Sequence, residues 1–188
     1  MNIFVLNEDP IIAAQEQCDK HVVKMIVETA QMLSTAHRMI DGEMERRASK
    51  SGSMIQYFKL NDGRENSLYK ACHFNHPSSV WVRESNTNYT WLYKHFVALC
   101  DEYTHRYGKI HMSDTKLRKA LSEVPQNIPD RDLTAFKLAM GSNPECMLPD
   151  PVESYRRYYM TKQGRFKMVW TNRDIPEWFL LQNNVNKP

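Results

Sequence analysis

Apolar residues recur at three- and four-residue intervals in two long stretches of the chain. In the first, Val22, Met25, Ile26, Thr29, Ala30 and Leu33 fall on one face of a helix running from Asp19 to about Met39. In the second, "NYTWLYKHFVALCDEYTHRYGK", Trp91, Phe96, Leu99 and Tyr103 repeat with helical spacing, and Gly108 supplies a natural C-terminal stop. Shorter segments follow the same logic. Asp9-Pro10 predicts a helix start over 10–17, with Asp capping free N–H groups and Pro at the first helical position. Asp19 is the expected cap of the helix that follows, the alternative being that the two helices are continuous. "NHPSS" and Asp150-Pro151 open two more helices. Residues 113–122, capped by Ser113, and Leu133–Met140 read as short helices. The apolar start, MNIFVL, reads as an extended segment tucked into the core. Residues 41–67 carry three glycines and many polar residues and read as a long loop insertion. No convincing alternation of apolar and polar residues marks a strand. The expectation is a mainly α protein, one compact helical domain over 1–188. A C-terminal extension, 163–188, packs Trp178 and Phe179 on the body.

Composition changes this picture little. With 41% hydrophobic and 25% charged residues in 188, the chain can bury a core without staples. Four scattered cysteines, Cys18, Cys72, Cys100 and Cys146, form no paired motif, which points to reduced thiols in the cytoplasm. The first residues are too short for a signal peptide, and no apolar run reaches membrane-spanning length. No membrane partner is expected, and the oligomeric state is left open.

Charge adds more through its distribution than through its net value of +3. Residues 155–173, "YRRYYMTKQGRFKMVWTNR", hold six basic side chains, five aromatics and no acid. Cations meet phosphates and aromatic rings stack on extruded bases, so this segment suits a nucleic acid. It also suits tyrosines in a core with solvated cations around them. His21 and Glu28 lie seven residues apart, about 10.5 Å along a helix, on nearly one face with Lys24 between them. They are too far apart to bond each other and well placed to touch two parts of one substrate. Taken alone, they also fit a solvated helix flank. Cys72, His73 and His76 match no closed metal-ligand set, so neither metal nor cofactor is expected.

Asp19-Lys20-His21 followed by Glu28, the long helix over "NYTWLYKHFVALCDEYTHRYG" and the cluster Tyr155-Arg156-Arg157-Tyr158-Tyr159 occur in an order that resembles the phage-type pyrimidine-dimer DNA glycosylases. The resemblance implies a helical enzyme whose α-amino group attacks the sugar C1′ as the base departs. A Schiff base and β-elimination follow. An ordinary α-amine titrates near about 7.7–8.0, so part of it is neutral and nucleophilic at neutral pH. On this resemblance Met1, Glu28 and His21 are catalytic. Asn2, Lys24, Arg38, His76, Arg83, Arg156, Arg157, Tyr158, Tyr159 and Lys162 contact substrate or DNA. Two departures stand out. Asn2 follows Met1, and Met before Asn is normally retained, so the amine, if used, belongs to Met1; the alternative is that lyase chemistry is lost and water is the nucleophile. No arginine flanks Glu28; Lys24 and Arg38 are the nearest cations on that helix. The target base therefore stays open. A non-catalytic nucleic-acid binder and an N-glycosyl-bond enzyme for free nucleotides are the alternatives.

Overall fold

The computed structural model describes residues 1–185. Among them are eight α-helices and one two-stranded sheet, so the fold is mainly α. The extended N-terminal segment comes first. Ile3, Phe4, Val5 and Leu6 are buried, and the Asn2 side-chain oxygen accepts from the N–H groups of Ile3 and Phe4. Helix α1 (Pro10–Gln15) starts as expected, with the Asp9 carboxylate accepting from Ile11 and Ile12.

Helix α2 (Asp19–Asp41) buries the predicted face. Its cap differs from expectation. Cys18 occupies the cap position without a side-chain bond, and Asp19 is the first helical residue. The Asp19 carboxylate is drawn instead to Arg106 at 3.0 Å and to Thr171, tying three distant parts of the chain together. Helix α5 (Asn86–Tyr107) packs along α2 and α1 and ends at Gly108, whose φ of 62° is left-handed. Helix α4 (Pro77–Glu84) closes the remaining side of α2. Leu33, Met25, Phe96 and Leu99 lie in the core between them.

Three local expectations are corrected. Residues 41–67 are not a loop. They form an antiparallel hairpin, β1 (Glu43–Ala48) and β2 (Met54–Lys59), then a one-turn helix, α3 (Arg64–Ser67). Only Tyr57 of the hairpin is buried, so no alternating core face was there to read. Helix α6 (Met112–Leu117) is capped by the His111 ring rather than by Ser113. Residues 133–140 form no helix and run as an irregular segment. Side chains claim that backbone: Asn88 takes the Thr134 N–H, Tyr155 donates to the Lys137 carbonyl, and Asn2 donates to the Ala139 carbonyl. With donors and acceptors met from outside, the segment has no need of a helical ladder.

Helix α7 (Pro151–Met160), capped by Asp150, and a 3-10 turn, Thr161–Gly164, carry most of the basic–aromatic segment. Helix α8 (Glu177–Val185) follows; Trp170 and Phe179 join the core, with Trp178 packed beside them.

Arg38 was expected among the substrate contacts. It is 1% exposed and serves as a clamp. Its guanidinium donates to the carbonyls of Tyr69, Phe58, Leu68 and Glu65 and to the Glu65 carboxylate at 2.6 Å. Burial would raise the Glu65 carboxyl, but bonds from Tyr57, the Leu60 N–H and Arg38 outweigh it and hold it at about 2. Arg38→Met should therefore cost about 3–5 kcal/mol of stability by stranding that carboxylate and four carbonyls. Urea unfolding of the variant reads this; an unchanged midpoint would remove the clamp role.

Candidate active site

The N-terminal segment runs against the middle of α2, which places Met1 beside Glu28. The α-amino nitrogen lies 3.7 Å from Glu28 Oε2, and the Asn2 N–H donates to the same oxygen at 2.9 Å. Lys24 Nζ stands 3.3 Å from Oε1, one helical turn back. The Met1 side chain is only 2% exposed and its sulfur accepts from the Ser79 hydroxyl. The amine is thus held from both sides, by its buried side chain and by the Asn2 backbone. It is not frayed into solvent.

Glu28 and Met1 open onto a cavity of about 480 Å³. Asn2, His21, Lys24, Tyr158 and Lys162 line it as well. Five further lining residues were missed: Phe4, Lys20, Ala139, Arg165 and Phe166. Lys20, Lys24, Lys162 and Arg165 set four cationic side chains against one carboxylate, so the cavity favours an anionic ligand. Its aromatic wall is a run of rings. Phe4 stacks on His21 with centroids 4.7 Å apart, Phe166 meets His21 edge-on at 5.5 Å, and Tyr158 lies 6.1 Å from Phe4. Lys162 covers the Tyr158 ring at 3.4 Å and Lys20 covers Phe166 at 4.7 Å.

Other candidates are placed elsewhere. Tyr159 is fully buried, its hydroxyl accepting from the Cys18 N–H, so it offers no face to a base. Arg156 turns inward to the Leu6 carbonyl and to Glu16. Arg157 is exposed and reaches the Glu145 carbonyl, away from the cavity. Arg83 donates to the Phe74 carbonyl. His76 caps α4 by accepting the Ser78 N–H; it feels both the N-terminal ammonium and Glu28 without lining the cavity. Among the described residues, no group of three or more His, Cys, Asp or Glu is placed to hold a metal ion. None of their helices is long and apolar enough to cross a membrane.

With the amine, the carboxylate and the cationic rim in place, comparison with known proteins bears on one segment. The family described as pyrimidine dimer DNA glycosylase matches residues 1–116. The chain belongs to this family. The match contains Met1, His21 and Glu28, whereas Ala139, Tyr158, Lys162, Arg165 and Phe166 lie beyond it. This glycosylase-family chain therefore closes its cavity with residues from outside the matched region. No curated protein and no solved structure gives a significant match. Membership of a DNA glycosylase family implies a DNA-binding surface.

His21 acts here as a neutral ring. Burial, then the Lys24 and Lys162 cations, push its pKa from 6.5 down to about 4. Burial does the same to His37 and His95, both at about 4. These folded-state values lie below the unfolded value. Their stabilisation is complete above pH 6.5 and is lost as pH falls through about 4, by at most about 3 kcal/mol per ring. Urea midpoints should hold above pH 7 and fall steeply between pH 6 and 4. A flat profile over that range would show that the rings accept protons while folded.

Proposed function

We propose that the chain is a DNA N-glycosylase acting on a damaged or modified base, with an AP-lyase step carried by the Met1 amine. The observation that carries this reading is the α-amino nitrogen 3.7 Å from Glu28 at the wall of a cation-rimmed cavity. A nucleotide extruded from the duplex brings C1′ to the amine while its phosphates meet Lys20, Lys24, Lys162 and Arg165. The neutral amine forms a bond to C1′ as the bond from C1′ to the base breaks, and the base leaves with its electron pair and a proton. Ring opening gives a Schiff base on Met1. Loss of a C2′ proton then expels the 3′ phosphate. Glu28 stabilises the positive charge that develops at C1′ and the iminium, and relays protons between amine, sugar and solvent. The ring run of Phe4, His21, Phe166 and Tyr158 gives the extruded nucleotide an apolar wall. Of the cations expected to contact substrate or DNA, Lys24 and Lys162 line the rim and are joined there by Lys20 and Arg165, whereas Arg156 and Arg157 do not line it. DNA is favoured over RNA because β-elimination draws on an acidic proton at a C2′ that carries no hydroxyl.

Borohydride trapping tests this directly. Incubation with abasic-site DNA and borohydride should give a covalent adduct that mass spectrometry places on the Met1 peptide. An adduct on a lysine instead would overturn the amine assignment. Duplex binding with neither adduct nor base release would leave the non-catalytic binding reading in its place.

A further inference from the structure

The hairpin β1–β2 stands outside the cavity, and its two faces differ. In an antiparallel pair, directly opposed residues share a face. One face carries Glu43 with Lys59, Glu45 with Tyr57 and Arg47 with Ile55. That face is anchored, because Tyr57 is buried against the Arg38–Glu65 clamp and Arg47 covers its ring at 3.8 Å. The other face carries Met44 with Phe58, Arg46 with Gln56 and Ala48 with Met54. It holds no carboxylate. Met44 is 58% and Met54 60% exposed, and Arg46, Ala48 and Gln56 are exposed as well.

The local charge is one-sided. Arg46, Lys50 and Lys59 pair with no carboxylate among the described residues. Four acids nearby are engaged by arginines: Glu45 by Arg47, Asp41 and Asp62 by Arg64, and Glu65 by Arg38. Glu43, on the anchored face opposite Lys59, accepts from the Asn61 side-chain amide. The carboxylate-free face also continues toward the candidate active site. Phe58 meets Phe74 edge-on at 5.6 Å, and two residues later His76 lies within the field of the Met1 ammonium and of Glu28. Among the described residues three cations of the ribbon stand outside ion pairs against one acid, Glu43, which lies on the anchored face, so the carboxylate-free face suits a polyanion. A two-stranded ribbon fits the major groove, and Arg and Gln are the side chains that bond guanine and adenine edges there.

We propose that the hairpin Glu43–Lys59 is a second duplex-DNA contact, laying the Met44–Arg46–Gln56–Met54 face in the groove that flanks the nucleotide held at Glu28. This rests on the DNA reading of the cavity. Helix α2 sets the spacing. From Glu28 to its end at Asp41 it rises about 20 Å, or roughly six base pairs of duplex. Gly42 makes the turn from helix to ribbon, because a Cβ there would sit 2.9 Å from the Lys59 carbonyl oxygen and closer still to that of Arg38.

The test is binding to a duplex carrying a tetrahydrofuran abasic analogue, which lacks the C1′ leaving group and aldehyde. One flank is shortened stepwise from twelve base pairs to three. The wild-type chain should lose about tenfold in affinity when the flank on one side drops below about six pairs. The double variant Arg46→Ala, Gln56→Ala should bind long and short duplexes alike, with a slope of log affinity against log salt smaller by about one. Both substitutions are on exposed side chains. Borohydride trapping on a short single-stranded abasic oligonucleotide, too short to reach the ribbon, should remain at wild-type level. Wild-type flank dependence and salt slope in the double variant would overturn the proposal while leaving the cavity chemistry intact. Normal ribbon-dependent binding without trapping or base release would overturn the cavity chemistry and leave the ribbon.

Discussion

Glu28→Gln is expected to lower the single-turnover rate of base release by about 10²–10⁴-fold. The geometry explains the size. Among the described residues Glu28 is the only carboxylate lining the cavity, and it stands beside the amine and faces four cationic side chains. Charge developing at C1′ has no other anionic partner there. The glutamine oxygen can still accept the Asn2 N–H, now 2.9 Å from Oε2, so the N-terminal segment should stay docked. The variant should therefore bind abasic duplex with near wild-type affinity and unfold at a similar urea concentration. A variant that releases base at the wild-type rate would remove Glu28 from the chemistry.

A single residue added before Met1 should abolish the borohydride-trapped adduct. Each residue moves the chain end by about 3.8 Å, comparable to the whole separation between the amine and Glu28 Oε2. The old nitrogen also becomes an amide, whose lone pair is no longer nucleophilic. Met1 itself stays anchored by its buried side chain, so the new amine is forced into the cavity or out of it. Duplex binding should survive, because the cations on the rim are untouched. Base release reads the remaining possibility. If it persists without an adduct, water is the nucleophile and Glu28 acts on water. An adduct of wild-type yield would show that the amine need not sit at that position.

The site was partly legible because some of it is local. His21, Lys24 and Glu28 lie on one helix, so their shared direction follows from 3.6 residues per turn. The basic–aromatic segment could be seen as a whole but not sorted. Tyr158 and Tyr159 are neighbours in sequence, yet one lines the cavity and the other is sealed behind it. A helix sends adjacent side chains about 100° apart, and only docking against α2 decided which faced the cavity. Arg156 and Lys162 divide likewise: the first turns to Leu6 and Glu16, the second to Tyr158. Phe4 belongs to no motif, Lys20 fills the variable place between Asp19 and His21, and Phe166 is one of five aromatics in the basic segment. They become wall residues because the N-terminal segment, α2 and the chain after α7 meet there.

The sequence alone determined that the chain is helical, roughly where the long helices lie, and that His21 and Glu28 share a flank. Those follow from periodicity, caps and a left-handed glycine, which act within a few residues. Tertiary structure decided that Met1 stands at Glu28, that Arg38 is a clamp rather than a DNA contact, and that residues 41–67 fold as a ribbon. In each case the deciding partner is remote in sequence: Glu28 for Met1, Glu65 for Arg38, and Arg38 for the ribbon, whose Tyr57 hydroxyl and Phe58 carbonyl it holds. Such pairings form only when packing has brought the segments together, and no local pattern encodes them.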